Sequence, residues 1–282
     1  MMKRKKKWGA ILYHSFIIGF GFIMLYPILW MFASSLKPEA EIFLNASSLI
    51  PSTFQWENYV QGWQGYGQYG FDVFFKNSFI ITTLVVIGSL FSSSLVAFGF
   101  ARLQFKFRKI LFACLLVTVM LPMQVTLIPQ YILFHNLGWV NTFLPLIVPA
   151  FIGGTPFFIF LMIQFIRGIP RELDEAAIID GCSTYGVFWH VILPLCKPAL
   201  VTVAIFSFMW TWDDFFAPLI YLQDTHLFTV ALGLRGFQDP DTMTAWGPLI
   251  AMSTLSLIPQ LILFMFCQKY LVQGIATTGL KG

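Results

Sequence analysis

Two adjacent carboxylates, Asp213 and Asp214, occur in a run that is otherwise apolar and aromatic, and Trp210 and Trp212 lie directly before them. In hydrocarbon each ionised carboxylate would cost at least ~2.5 kcal/mol, so the pair predicts a watery cavity or a polar partner. Aromatic rings stack on the C–H groups of sugars, and carboxylates accept hydrogen bonds from hydroxyls. These four residues therefore form a predicted substrate pathway. A structural role, in capping helix breaks or pairing with another protein, is the alternative.

Two carboxylates inside a membrane could also serve catalysis or ion-coupled transport. Adjacent residues on a helix point about 100° apart, which disfavours a catalytic acid dyad in an intramembrane enzyme. Intramembrane acids can also couple transport to protons or sodium, so an ion-coupled secondary transporter is an alternative function. The four histidines and four cysteines show no metal-binding spacing. No catalytic residue and no metal site is predicted.

The most informative segment is residues 167–198, which read RGIPRELDEAAIIDGCSTYGVFWHVILPLCKP. Pro170 suits the first position of a helix, and three acidic residues follow that complement the positive end of the helix dipole. Gly181 can adopt the left-handed conformation that ends a helix. These features predict a short helix from about Pro170 to Asp180.

The residues of this short helix favour docking over catalysis. Leu173, Ala176 and Ala177 recur at helical three- and four-residue spacing, and the small alanines predict a shallow face that another protein can approach closely. A second apolar segment follows from Tyr185, and the prolines from Pro194 onward are predicted to end it. A helix–turn–helix of this kind can transmit force into a membrane domain.

The elements that hold these residues are predicted membrane helices. Of the 282 residues, 57% are hydrophobic and 11% are charged, with a mean hydropathy of +0.76. A membrane-spanning helix takes about 20 mostly apolar residues. In lipid, only helices and closed barrels satisfy the hydrogen bonds of every backbone group, and the period-two pattern of a barrel strand is absent here. We predict an all-α membrane protein with one transmembrane domain over residues 1–282. The six predicted spans are residues 9–33, 74–100, 110–134, 142–166, 199–222 and 247–271.

Several windows contain residues that interrupt regular helices. Pro122, Pro129 and the pair Gly153 and Gly154 fall inside the third and fourth spans. They indicate either kinks around a cavity or the ordinary tolerance of membrane helices for such residues.

Positive charge is distributed unevenly between the predicted loops. With the N-terminus inside, 14 of the 17 basic residues lie on the cytoplasmic side, and only Lys37, Lys76 and Arg235 lie outside. The positive-inside rule then places both termini in the cytoplasm. The net charge of +4 therefore reflects topology, and no nucleic-acid partner is predicted. The first apolar stretch is too long for the h-region of a signal peptide, which predicts an uncleaved span.

One gapped motif in the 167–198 segment matches a known family. EAA at 175–177, Gly181 and VILP at 191–194 resemble the E-A-A-x3-G-x9-I-x-L-P signature of ATP-binding-cassette importer permeases, with Val191 where Ile is favoured. SLKPEAEIF after the first span, WDDFFAPLIYL in the fifth and the C-terminal QKYLVQGIATTGLKG look like the shorter permease subunit of maltose-type sugar importers. The resemblance extends over nearly the whole chain.

This resemblance implies a type I ABC importer permease fold, in which residues 167–198 form a cytoplasmic coupling loop with a coupling helix. The chain would be a transport subunit for a sugar or oligosaccharide in the bacterial cytoplasmic membrane, without enzymatic activity or a cofactor of its own. The implied partners are a second dissimilar permease, a dimer of ATPase subunits that bind ATP and Mg, and an extracytoplasmic solute-binding protein. The residues assigned to ATPase docking are Leu173, Glu175, Ala176, Ala177, Asp180, Gly181, Leu193 and Pro194.

Overall fold

The structure, a computed structural model, describes residues 2–65, 67–238 and 244–279, with side chains from 12–65, 67–122, 124–238 and 244–269. In chain order the α-helices are α1 (Met2–Ser35), α2 (Glu39–Leu44), α3 (Glu57–Gln64), α4 (Phe71–Arg102), α5 (Arg108–Met120), α6 (Met123–Asn136), α7 (Leu144–Phe151), α8 (Pro156–Arg167), α9 (Glu172–Ile179), α10 (Thr184–Gly186), α11 (Leu193–Leu195), α12 (Lys197–Trp212), α13 (Phe216–Tyr221), α14 (Val230–Arg235) and α15 (Trp246–Gly279). A π-helix, Val187–Ile192, joins α10 to α11, and a 3₁₀ helix, Thr225–Leu227, follows α13.

The described helices reach the predicted number of spans when bent pairs are taken together. Four stretches are long and apolar enough to cross a membrane alone, and they are Leu12–Ser35, Phe71–Arg102, Leu144–Arg167 and Trp246–Lys269. Two bent pairs bring the number to six: Arg108–Met120 with Gln124–Asn136, at 105°, and Thr184–Leu195 with Lys197–Trp212, at 75°. Only 6% of the Leu12–Ser35 window is buried, so nearly all of this helix is left to contact lipid or another protein.

The breaks in these spans occur at residues that interrupt a helix. Pro122 precedes α6 in an extended conformation, where its missing N–H costs no helical hydrogen bond. Gly153 and Gly154 separate α7 from α8 with φ of 126° and 55°, a backbone region that favours glycine. A bend is therefore present at Pro122 and an interruption of the helix at Gly153 and Gly154, whereas Pro129 lies inside α6.

One compact unit comprises the chain up to Phe71 together with Leu234–Ile258. Lys37 is fully buried in it, and its Nζ donates a hydrogen bond to the carbonyl oxygen of Asn45 at 2.9 Å. Asn58 Nδ2 donates to the carbonyl oxygen of Lys37 at 3.0 Å. Buried polar groups need such partners, so these bonds hold the segment after the first span in a defined shape.

A second compact unit comprises Asp72–Gly233 and the chain from Pro259. Its hydrophobic core joins α4, α8 and α12 to the segment that carries α9. The buried members are Ala97, Phe98, Phe100, Ala101, Phe158, Ile159, Met162, Ile163, Ile166, Ala177, Val187, Phe188, Ile192, Cys196, Ala199 and Val203. The 167–198 segment is therefore packed onto the ends of three helices. The single domain expected over residues 1–282 stays a prediction.

The fifth predicted span, 199–222, is wrong as a single helix. α12 ends at Trp212 and α13 begins at Phe216, so Asp213 and Asp214 lie at a break and not in the middle of a helix. Asp214 Oδ1 accepts a hydrogen bond from the backbone N–H of Ala217 at 3.2 Å. A short acidic side chain that bonds the backbone in this way competes with a continuous helix and favours a new helix start.

The second apolar segment ends at Leu195, between Pro194 and Pro198, and therefore stops before the next helix as predicted. The helical run passes through Pro194, which follows the π-helix Val187–Ile192. Pro198 lies in the first turn of α12, where a proline needs no N–H partner. The direction changes at Cys196, between the two helices of the 75° pair.

Candidate functional site

We define residues 167–198 as the coupling segment. Its first helix is α9, which has a well-defined C-terminal end. α9 starts two residues later than predicted and carries three acidic residues in its first turn. Gly181 N–H donates to the Ile178 carbonyl at 3.0 Å, and Cys182 N–H donates to the Ala177 carbonyl at 2.9 Å. This pair of bonds is a Schellman motif. With φ of 87°, Gly181 adopts the left-handed conformation that the sequence predicted.

The two alanines of α9 face different surroundings. Ala177 is 8% exposed and belongs to the hydrophobic core, whereas Ala176 is exposed to solvent. The shared shallow face predicted from their spacing is therefore corrected, because Ala177 packs inward against the protein's own helices. Only the Ala176 side of α9 is open to another protein.

The outer face of the coupling segment is more apolar than sequence reasoning indicated. Ile178 and Ile179 are 59% and 85% exposed, and neither was predicted to take part in docking. Two consecutive isoleucines at the end of a short acidic helix were a signal, since one inward face cannot bury both. The exposed residues of the segment include Leu173, Glu175, Ala176, Ile178, Ile179, Asp180, Gly181, Tyr185, Trp189 and Pro194. Leu193 is half-buried against the core.

A salt bridge that was not predicted from the sequence joins α9 to the end of α4. Arg102 Nε lies 2.7 Å from Asp174 Oδ2, with side chains only 6% and 13% exposed. Arg102 Nη2 also donates to the carbonyl oxygen of Ile169 at 2.9 Å. Burial raises the pKa of Asp174, and the Arg102 charge opposes that rise. One guanidinium thus holds both the start of the coupling segment and its helix.

A cavity of about 690 Å³ lies beside the break between α12 and α13. Asp214, Thr82 and Tyr221 line it, and Trp139 contributes an indole ring to the wall. Thr82 and Tyr221 are 1% and 3% exposed, and neither hydroxyl has a hydrogen-bond partner among the described residues. Buried hydroxyls are nearly always paired, so these two groups are available to a polar ligand in the cavity.

Of the four residues predicted for the substrate pathway, only Asp214 lines this cavity. Asp213 is exposed and accepts a hydrogen bond from Gln260 Nε2 at 2.7 Å. The alternative predicted for the acids was that they cap a helix break, and Asp214 does so through its bond to Ala217. The same residue also lines the cavity.

The two predicted tryptophans pack against phenylalanines elsewhere in the same unit. The Trp212 side chain is 3% exposed, and its ring centroid lies 4.8 Å from that of Phe79. Trp210 stacks on Phe158 at 5.1 Å. Neither indole lines the cavity beside Asp214, and Trp210 remains 48% exposed, so a part for these two residues in the substrate pathway stays a prediction.

Comparison with known proteins places the chain in a family. It belongs to the binding-protein-dependent transport system inner membrane components, whose family model matches residues 85–277. It is 37% identical over 282 residues to the probable ABC transporter permease protein YurM of Bacillus subtilis, covering 99% of this chain and 92% of that relative. It is 34% identical over 283 residues to the arabinooligosaccharides transport system permease protein AraQ of Halalkalibacterium halodurans, covering 99% and 100%. The trehalose/maltose transport system permease protein MalG of Thermococcus litoralis is 34% identical over 261 residues, covering 92% of each chain.

The fold is shared with a solved transporter. A bacterial ABC transporter involved in the import of the acidic polysaccharide alginate matches with a TM-score of 0.78 at 20% identity, covering 95% of this chain and 98% of that one. The predicted fold class, an all-α membrane protein with the six spans of an ABC importer permease, is confirmed. The chain is a multi-pass permease subunit and not an enzyme, and ATP hydrolysis is carried by separate ATPase subunits. This membership argues against an ion-coupled secondary transporter.

Proposed function

We propose that this chain is one of two dissimilar permeases that import a sugar or oligosaccharide, driven by a dimer of ATPase subunits that bind ATP and Mg. The names of the relatives support the cargo, because they include permeases for arabinooligosaccharides and for trehalose and maltose. A further relative belongs to a diacetylchitobiose uptake system. A solved relative of the fold, in complex with a pentasaccharide-bound periplasmic protein, supports a solute-binding protein as the extracytoplasmic partner.

The observation that carries the proposal is the continuity between the coupling segment and the membrane helices. Ala177, Phe188 and Ile192 of the segment are buried in one core with α4, α8 and α12. Well-packed cores deform little, so a displacement of α9 would move the ends of these helices with it. On the other side of α9, Ala176 and Ile179 remain exposed. We infer that this exposed side docks in a cleft of an ATPase subunit.

The mechanism follows from that arrangement. Closure of the ATPase dimer on ATP would push α9, and the packed core would convert the push into rocking of α4, α8 and α12. The basic residues concentrated on one side of the predicted spans support the proposal that α9 and both termini lie in the cytoplasm, where the ATPase would act.

For the cargo, we propose that the cavity beside the α12–α13 break contributes one wall of the translocation pathway. A carboxylate and two unpaired hydroxyls, from Asp214, Thr82 and Tyr221, can bond the hydroxyl groups of a sugar. One face of the Trp139 indole stacks on Phe134, with ring centroids 5.6 Å apart, and the other face can contact the C–H groups of the sugar. The volume, about 690 Å³, is within the ordinary range for a small-molecule site.

A photo-crosslinking experiment on the complete importer tests the docking surface. A photoreactive phenylalanine analogue replaces Ile179, which is 85% exposed, and in a matched control it replaces Ile50, which is 79% exposed in the segment between α2 and α3. The expected result is an adduct with the ATPase from position 179 and none from 50, in a complex that still imports sugar. No ATPase adduct from 179, or equal adducts from both, would contradict the docking surface.

A further inference from the structure

A second cavity, of about 680 Å³, lies where the chain turns between α4 and α5 beside the end of α8. We call it the basic cavity. It is lined by the cations of Arg108, Lys109 and Arg167 and by the rings of Phe105, Phe107 and Phe112. Arg167 is the first residue of the coupling segment, but the transport mechanism proposed above assigns no role to its side chain or to the other five.

The three cations are held close together without acidic partners. Among the described residues, the one salt bridge joins Arg102 and Asp174, and neither of these lines the cavity. Arg108 Nη2 donates to the carbonyl oxygen of Phe100 at 2.6 Å, and the Arg167 guanidinium lies 5.0 Å from the Phe112 ring centroid. These contacts fix the two guanidinium groups in place but leave their charge uncompensated.

The start of α5 adds to the positive potential. α5 begins at Arg108, and its first turn has no acidic residue and no side-chain cap. Basic residues at the positive end of a helix dipole are unfavourable unless an anion is bound nearby. The charges of the basic cavity are therefore arranged in the way that an anionic ligand would stabilise.

The position of the cavity indicates which anion it takes. It lies between the end of one candidate membrane helix and the start of the next, where the chain is expected to leave and re-enter the hydrocarbon. Its aromatic wall is open, since Phe105 and Phe107 are 39% and 60% exposed. A basic pocket with an apolar wall at this depth suits a lipid, because the phosphate can bond the guanidinium groups while the acyl chains contact the rings.

We propose that the basic cavity binds the phosphate headgroup of an anionic phospholipid, such as phosphatidylglycerol. In the orientation given by the positive-inside rule the cavity faces the cytoplasmic leaflet, where anionic lipids produce a negative surface potential. The bound headgroup neutralises the cations at the α4–α5 turn and stabilises the helix ends on which the coupling segment packs.

The test uses the complete importer in nanodiscs with a photoreactive phosphatidylglycerol as the probe. A phosphatidylcholine probe with the same chains is the comparison. We expect saturable labelling of residues 104–112 by phosphatidylglycerol only. Lys109→Gln with Arg167→Gln is expected to weaken that labelling about 25-fold, because each cation near a membrane surface contributes roughly fivefold.

Single variants separate charge from folding. Lys109 is exposed, so Lys109→Gln leaves packing intact and is expected to weaken labelling roughly fivefold. Arg167→Lys keeps the charge and is expected to keep most of the labelling. Lys197→Gln removes an exposed cation on the same predicted side that does not line the cavity, and is expected to change nothing.

Three results would overturn the proposal. They are equal labelling by the phosphatidylcholine probe, unchanged labelling in the double variant, and displacement of the lipid probe by millimolar inorganic phosphate. The last result would assign the site to a soluble anion. Uptake of sugar by the importer is measured separately, so failure of the lipid proposal is distinguishable from failure of the transport function.

Discussion

The salt bridge between Arg102 and Asp174 predicts how firmly the coupling helix is anchored. The perturbation is Arg102→Met, which keeps an unbranched apolar stem and removes the charged guanidinium group. Asp174 would then keep a carboxylate that is 13% exposed with no cation beside it. Its Oδ1 already has no hydrogen-bond partner among the described residues, and the Ile169 carbonyl would lose its bond from Arg102.

The size of the effect follows from this burial. Removing one partner of a buried ion pair costs about 3–5 kcal/mol, because the other charge is left uncompensated. At the lower limit this is roughly a hundredfold change in the equilibrium for releasing α9 from the core. Replacing both partners, with Arg102→Met and Asp174→Leu, removes the buried charges together and is expected to recover most of the loss. The coupling energy in the double-mutant cycle should therefore reach about 2 kcal/mol or more.

Two measurements on the assembled importer check this prediction. Hydrogen exchange of the α9 amides reports release of the helix, and it should accelerate roughly a hundredfold in Arg102→Met and much less in the double variant. Sugar uptake per ATP hydrolysed reports coupling, and it should fall in the single variant and recover in the double. Unchanged exchange in Arg102→Met, or single losses that simply add in the double variant, would refute the reasoning.

Three further variants test other parts of the structure. Gly181→Pro cannot adopt φ of 87° and loses the N–H that ends α9, so uptake should be abolished while the complex still assembles on a sizing column; normal uptake would contradict a coupling role. Tyr221→Phe removes an unpaired buried hydroxyl, so the melting temperature should hold or rise while the KM for uptake increases; an unchanged KM would remove this group from the sugar pathway. Gly233→Ala would place a methyl group against the ring of Phe74 and should destabilise the folded protein by about 1–3 kcal/mol. In the control, Gly99→Ala, the new methyl meets no atom within 4 Å and should be neutral or slightly stabilising. Equal melting temperatures of the two variants would show that the contact with Phe74 relaxes freely.

The local elements were predictable because their causes lie within a few residues of sequence. Apolar runs longer than a membrane is thick predict spans whatever the rest of the chain does. The helix end at Gly181 depends on its own φ and on bonds to residues three and five positions away. Prediction failed at 199–222, where hydropathy continues across Asp214 although its side chain bonds the backbone and starts a new helix. A hydropathy average over a window of residues cannot detect a single hydrogen bond.

By itself, then, the sequence determined that the chain is a helical membrane permease with a coupling segment, since periodicity, charge placement and the EAA motif are local properties. Only the tertiary structure decided which side of each helix is used. It turned Ala177 inward, paired Arg102 with Asp174 across two spans of sequence, and brought Thr82 and Tyr221 to one cavity. Those contacts depend on how distant helices pack together, and the spacing of residues along one helix does not specify which helix will lie against it.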